Sequence, residues 1–131
     1  MSCGPLKIYI AGPYTADTEF LRIRNVNAAI DVAFQLFSKG HYPYIPHLTH
    51  FIDLRANEIG RFLTWGDYIK WDLPWIEVCD ALLYLSPSRG ADLELQRARF
   101  LGRQVFYSVD EVPEVSGDRL PQEQKHSEVL S

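Results

Sequence analysis

Ser86-Pro87-Ser88-Arg89-Gly90-Ala91-Asp92-Leu93-Glu94 joins two segments of opposite character. Ahead of it, Asp80-Ala81-Leu82-Leu83-Tyr84-Leu85 is the short, nearly unbroken apolar run of a strand covered on both faces. Behind it, Ala91, Leu95, Ala98 and Gly102 recur at helical spacing, with Gly102 as the stop signal. A strand feeding a helix through a small-residue turn is the unit of open α/β sheets, which bind ligands at the carboxyl ends of their strands. The stretch therefore predicts an α/β fold with Glu94 in the opening turn of a helix, at the mouth of a pocket.

Working outward, Leu6-Lys7-Ile8-Tyr9-Ile10-Ala11-Gly12 reads as the central strand, and Gly12-Pro13-Tyr14-Thr15 as a tight turn on the same edge. Tyr14 is then either a pocket residue or a half-buried loop aromatic. From Thr18 to Lys39 the pattern is helical, with Val26, Ile30, Ala33 and Phe37 marking one face, Leu36 adding to it, and Gly40 ending it. His41 to Pro46 is a short strand whose Pro43 suits an edge, giving strand order 2-1-3. His47 to Phe62 is the least regular part, expected to be a loop and short helix roofing the pocket. A second helix spans Thr64 to Val78, capped by Thr64, with Tyr68, Trp71, Trp75 and Val78 at helical spacing and Pro74 expected to bend or break it. Gln104 to Val109 is a fourth strand, parallel to the others because each strand so far is followed by a helix. The division is a domain at 1–113 and a polar, flexible tail at 114–131, where apolar periodicity stops.

The chain has 131 residues, 47% of them hydrophobic and 13% aromatic, enough for one core. A formal charge of −4 with scattered basic residues argues against a nucleic-acid partner and toward a small molecule. Cys3 and Cys79 form no disulfide framework, which fits a reducing compartment. No run approaches the ~18 apolar residues of a membrane span, and Met1-Ser2-Cys3-Gly4-Pro5 lacks the features of a secretory signal. The expectation is a soluble, cytoplasmic protein with no membrane partner.

The strand ends gather Tyr14, His47, Asp72, Ser88 and Glu94. Neither a Gly-x-Gly-x-x-Gly fingerprint nor a Walker-type loop is present, which disfavours dinucleotide redox and NTP hydrolysis. No nucleophile elbow surrounds Ser88, because the glycine two residues before it is missing. His47 and His50 lack a Glu or Cys partner at a metal-site offset, so neither a metal nor a cofactor is expected. What remains is a carboxylate pair, the minimal machinery for cleaving a glycosidic bond. Glu94, at a helix start, is expected to be ionised, and Asp72, between Trp71 and Leu73-Pro74-Trp75, to hold a proton. Spacing alone also allows Glu94 to be a helix-dipole partner or paired with Arg97, and Asp72 to lie exposed on the polar face of its helix.

Ile8-Tyr9-Ile10-Ala11-Gly12-Pro13, Asp72-Leu73, Cys79-Asp80-Ala81-Leu82-Leu83 and Ser88-x-Gly90-x-x-x-Glu94 together resemble the nucleoside 2-deoxyribosyltransferase family, whose superfamily includes 2'-deoxynucleoside 5'-phosphate N-hydrolases. The resemblance covers roughly residues 6 to 109. It implies a flavodoxin-like three-layer fold with a four- or five-stranded parallel sheet, and a homo-oligomer. It makes Glu94 the nucleophile toward C1' of the sugar and Asp72 the acid that protonates the departing base. Tyr14, Gly12, His47, Ser88, Arg89 and Gly90 would bind substrate. The implied partners are a nucleoside or nucleotide and a nucleobase, with base exchange as the reaction and hydrolysis as the variant with water as acceptor. Ser88 stands where transferases of the family carry Asp and the nucleotide hydrolases carry Ser. Arg22 and Arg24 are only distant substitutes for the phosphate-holding cluster of those hydrolases. A non-catalytic nucleotide-binding module is the alternative of another class.

Overall fold

The computed structural model describes residues 3–116. Four strands, β1 (Lys7–Ala11), β2 (Tyr42–Tyr44), β3 (Ala81–Tyr84) and β4 (Gln104–Phe106), form one all-parallel sheet in the order β2-β1-β3-β4. Helix α1 (Glu19–Ser38) follows β1 and α2 (Thr49–Glu58) follows β2 after a 3-10 turn at Pro46–Leu48. Then come α3 (Trp65–Val78) and, after β3, α4 (Arg89–Phe100). This is the flavodoxin-like three-layer arrangement, with the expected central and edge strands.

The two cores follow from the pleat, since successive side chains of a strand point to opposite faces. Ile8 and Ile10 of β1 join Ala81 and Leu83 of β3 against Ala29, Ala33 and Leu36 of α1. Tyr9 and Ala11 join Leu82 on the other face, against Ile76 of α3 and Ala91, Leu95 and Ala98 of α4. Strands buried on both faces read as continuous apolar runs, which is why β1 and β3 were legible.

The buried face of α1 differs from expectation, and that of α3 carries a carboxylate. On α1 the buried residues are Val26, Ala29, Ala33 and Leu36, while Phe37 is exposed. The small Ala29 and Ala33 let the helix lie close to the sheet, and the stripe is rotated away from Phe37. On α3 the stripe of Trp71, Trp75 and Val78 faces outward, and the buried residues are Asp72 and Ile76. The helix runs through Pro74 unbroken. A proline removes only one backbone donor, and packing of Ile76 on the sheet holds the segment together.

Gly40 ends α1 at φ 101° and Gly102 follows α4 at φ 73°, both in the left-handed region that favours glycine. Residues 114–116, assigned to the tail from composition, continue along the domain. Val115 is buried and donates its N–H to the Lys39 carbonyl, and buried His41 bridges the Leu6 N–H and the Pro113 carbonyl. The rest of the expected tail, 117–131, lies outside the described residues. Among the described residues no helix is long and apolar enough to cross a membrane.

Candidate functional site

The chain leaves β1 for β2 on one side of the sheet and reaches β3 on the other, so the carboxyl ends of β1 and β3 flank a topological switch point, where ligand crevices form in open α/β sheets. A cavity of about 510 Å³ opens there. All eight residues expected at the site, Glu94, Asp72, Tyr14, Gly12, His47, Ser88, Arg89 and Gly90, line it.

Glu94 is held by its helix. Ser88 is the N-cap of α4, its hydroxyl accepting from the Ala91 N–H at 3.0 Å. The helix therefore begins at Arg89, and the acidic residue of its first turn is Asp92, which accepts from the Tyr84 hydroxyl at 2.6 Å. Glu94 falls one turn further in, buried, against the expectation of the opening turn. Its partner is Tyr9 of β1, whose hydroxyl donates to Glu94 Oε2 from a fully buried ring. Arg97 pairs with Glu77 instead, at 2.9 Å.

The expected charge assignment holds for Asp72 and is corrected for Glu94. Burial pushes the Glu94 carboxyl up, the Tyr9 hydrogen bond opposes this, and the nearby Asp72 charge adds to the rise, leaving it at about 8. The dipole of a helix end falls off within a turn, too short a reach to lower Glu94. Asp72 is buried and raised by that burial to about 7, with Oδ1 lacking a hydrogen-bond partner. The exposed alternative for Asp72 does not hold. Two buried, electrostatically coupled carboxyls that both titrate near neutrality share protons as a pair.

The turn after β1 is fixed by its neighbours. Asn25 donates to the Tyr14 carbonyl at 3.0 Å, Arg22 to the Ala16 carbonyl at 2.7 Å, and His47 Nε2 lies 3.1 Å from the Gly12 carbonyl. A Cβ on Gly12 would stand 3.2 Å from Leu85 Cβ and Cδ1, so a glycine lets this turn approach the end of β3. Burial lowers the pKa of His47, which keeps it neutral, and its Nδ1 has no partner. His50, two residues into α2, points elsewhere: Nδ1 is 2.8 Å from the Tyr14 hydroxyl and Nε2 is 2.9 Å from Glu19 Oε2. The two histidines thus serve different partners, and no cluster of three metal-type ligands occurs among the described residues.

Several further residues line the cavity. Arg22, on the first turns of α1, lines the cavity. Trp65 opens α3 and its ring lies 3.9 Å from the Arg89 guanidinium carbon, a cation–π contact between two helix starts. Asp53 of α2 accepts from Tyr68 of α3 at 2.9 Å, tying the roof to the wall. Tyr9 was missed because it reads as strand filling; the signal is that a fully buried phenol must find a hydrogen-bond partner.

Such a site can exchange protons at two carboxyls, offer a carboxylate to an electrophilic carbon, and hold a polar ligand between aromatic and basic side chains. A comparison with curated proteins returns no match. Residues 6–107 match the model of the family described as Domain of unknown function (DUF4406), so the chain belongs to that family.

Proposed function

We propose that the protein cleaves the N-glycosidic bond of 2'-deoxynucleosides through a Glu94-linked deoxyribosyl intermediate, passing the sugar to another nucleobase or to water. The observation that carries this reading is a single one: Glu94 and Asp72, both buried and both titrating near neutrality, line one cavity at the strand ends. Ionised Glu94 attacks C1' and forms an ester as the C1'–N bond breaks. Asp72 delivers its proton to the departing base nitrogen and then, as carboxylate, takes the proton of the incoming base or water while the ester bond breaks. Tyr9 holds Glu94 in one orientation and supplies the one hydrogen bond that favours its charged form. The productive state has Glu94 ionised and the shared proton on Asp72.

The resemblance to the deoxyribosyltransferase family carries the choice of sugar and base, and with it a homo-oligomer; the lone thiols of Cys3 and Cys79, which fit a reducing compartment, support a cytoplasmic setting. The outward Trp71, Trp75 and Val78 offer an apolar face suited to self-association.

A second reading, hydrolysis of 2'-deoxynucleoside 5'-monophosphates, is favoured by Arg22 and Arg89 lining the cavity with Ser88, where two guanidinium groups could meet a phosphate. One assay separates the readings. The protein is incubated with each deoxynucleoside plus a second base, and with each 5'-monophosphate, alongside Glu94→Gln. Base exchange lost in Glu94→Gln supports the first, base release from monophosphates alone supports the second, and unchanged turnover in Glu94→Gln contradicts both.

A further inference from the structure

Tyr14 lines the cavity, and the donor or acceptor character of its hydroxyl is decided by a neighbour that the reaction does not use. His50 is almost fully buried, with Nδ1 2.8 Å from Tyr14 Oη and Nε2 2.9 Å from Glu19 Oε2 in an off-axis contact. Nε2 makes no well-directed hydrogen bond, yet the carboxylate charge 2.9 Å away favours the tautomer that places a proton, with its partial positive charge, on that nitrogen. The proton of neutral His50 therefore sits on Nε2, and Nδ1 is left as an acceptor. Tyr14 must then donate its hydroxyl hydrogen to His50, which leaves its oxygen only lone pairs to offer a ligand. Glu19 is kept in place by Arg22, whose Nε lies 3.3 Å from Glu19 Oε1. Burial raises the Tyr14 phenol to about 12, with the Asp53 and Glu19 charges adding and Arg22 opposing, so it stays a hydroxyl.

We infer that the Glu19–His50–Tyr14 chain makes Tyr14 a hydrogen-bond acceptor toward the ligand, so that this point of the cavity selects a substrate hydroxyl and disfavours a group with no proton to give. This rests on the reading of the substrate as a deoxynucleoside, whose sugar hydroxyls supply the donor. Tyr14 is the specificity determinant; His50 and Glu19 are positioning residues that set its polarity. In the opposite tautomer Nδ1–H would donate to Tyr14, whose own hydroxyl would be free to donate to an acceptor such as a phosphate oxygen.

Two measurements test this on the whole protein. Long-range proton–nitrogen correlation spectra of the free protein, taken where imidazole is neutral, read the His50 tautomer directly; protonated Nε2 is expected, with Glu19→Gln shifting the population toward protonated Nδ1. A wild-type His50 protonated on Nδ1 overturns the inference whatever the substrate. Inhibition constants are then compared for 2'-deoxyadenosine and 2'-deoxycytidine and their 3'-fluoro and 5'-fluoro analogues, in which one hydroxyl donor is replaced. One of the two replacements should weaken wild-type binding by roughly 3- to 10-fold, the worth of one neutral hydrogen bond. Tyr14→Phe should erase the difference, with the parent nucleosides themselves bound more weakly, and Glu19→Gln should shrink it. The same ratio in wild type and Tyr14→Phe overturns the selection. If neither parent nucleoside binds, the substrate reading fails and takes the hydroxyl with it, while the spectra still decide the tautomer.

Discussion

Tyr9, buried in the middle of β1, donates its hydroxyl to Glu94, one turn into α4, so the central strand and the helix beyond β3 are joined at the reacting carboxylate. The bond does two things at once. It satisfies a phenol that has no access to water, and it offsets part of the burial that drives Glu94 toward its neutral form.

Removing that donor should be felt in ionisation more than in folding. In Tyr9→Phe the ring still packs against Tyr44, 5.4 Å away between centroids, but Glu94 loses its stabilising partner. We expect turnover at neutral pH to fall by roughly 10- to 100-fold, as for loss of a hydrogen bond to a charged group. The acidic limb of the rate profile should move to higher pH. A drop of that size with an unmoved limb would mean that Tyr9 acts on shape alone.

Asp72→Asn should slow reactions of poor leaving bases by roughly 10²- to 10⁴-fold, the range of general acid catalysis, and those of good leaving bases much less. Rates across a series of bases with graded nitrogen basicity provide the check. Equal losses along the series would reduce Asp72 to an orienting group.

Stability should depend on pH through the same pair. The ordinary values are 3.8 for Asp and 4.5 for Glu, and in the folded chain Asp72 and Glu94 rise to about 7 and about 8. The folded state thus binds these protons more tightly than the unfolded one. Their contribution is fully present below about 3.8 and is lost as pH rises through about 8. Thermal midpoints should fall between roughly pH 5 and roughly pH 9, and Glu94→Gln, neutral throughout, should flatten the decline. Parallel slopes for the two proteins would place the proton binding elsewhere.

Gly90 separates fold from function. A Cβ there would meet only Ile69 Cδ1, at 3.5 Å, an ordinary contact, and both residues line the cavity. Gly90→Ala should therefore keep the thermal midpoint or gain up to ~1 kcal/mol of helix stability, while its methyl takes room from the ligand and raises KM several-fold. A destabilised protein would show that the fold itself needs this glycine.

Much of this was readable in the residues because the local rules and the global fold agree. The apolar runs at β1 and β3 report strands covered on both faces, and Thr64 caps a helix where the spacing puts one. The cavity residues were legible for the same reason, since strand ends in such a sheet converge. Three features were not. Phe37 was misread because a helix allows neighbouring stripes, and only the depth of Ala29 decides between them. The place of Glu94 was misread because Ser88 caps the helix three residues ahead of Ala91, the first of the periodic apolar residues. The partners of His50 lie in α1 and the turn after β1, contacts between 30 and 40 residues apart that no local pattern encodes.

The central claim is a covalent bond between Glu94 and an anomeric carbon, and intact-mass spectrometry with peptide mapping tests it most directly. The protein is quenched during reaction with 2'-deoxy-2'-fluoro nucleosides, whose fluorine slows release of the sugar. The account predicts a mass increase of one fluorinated sugar residue confined to the peptide containing Glu94, and none in Glu94→Gln. Turnover of the parent nucleosides with no such adduct, or an adduct on another residue, would contradict it.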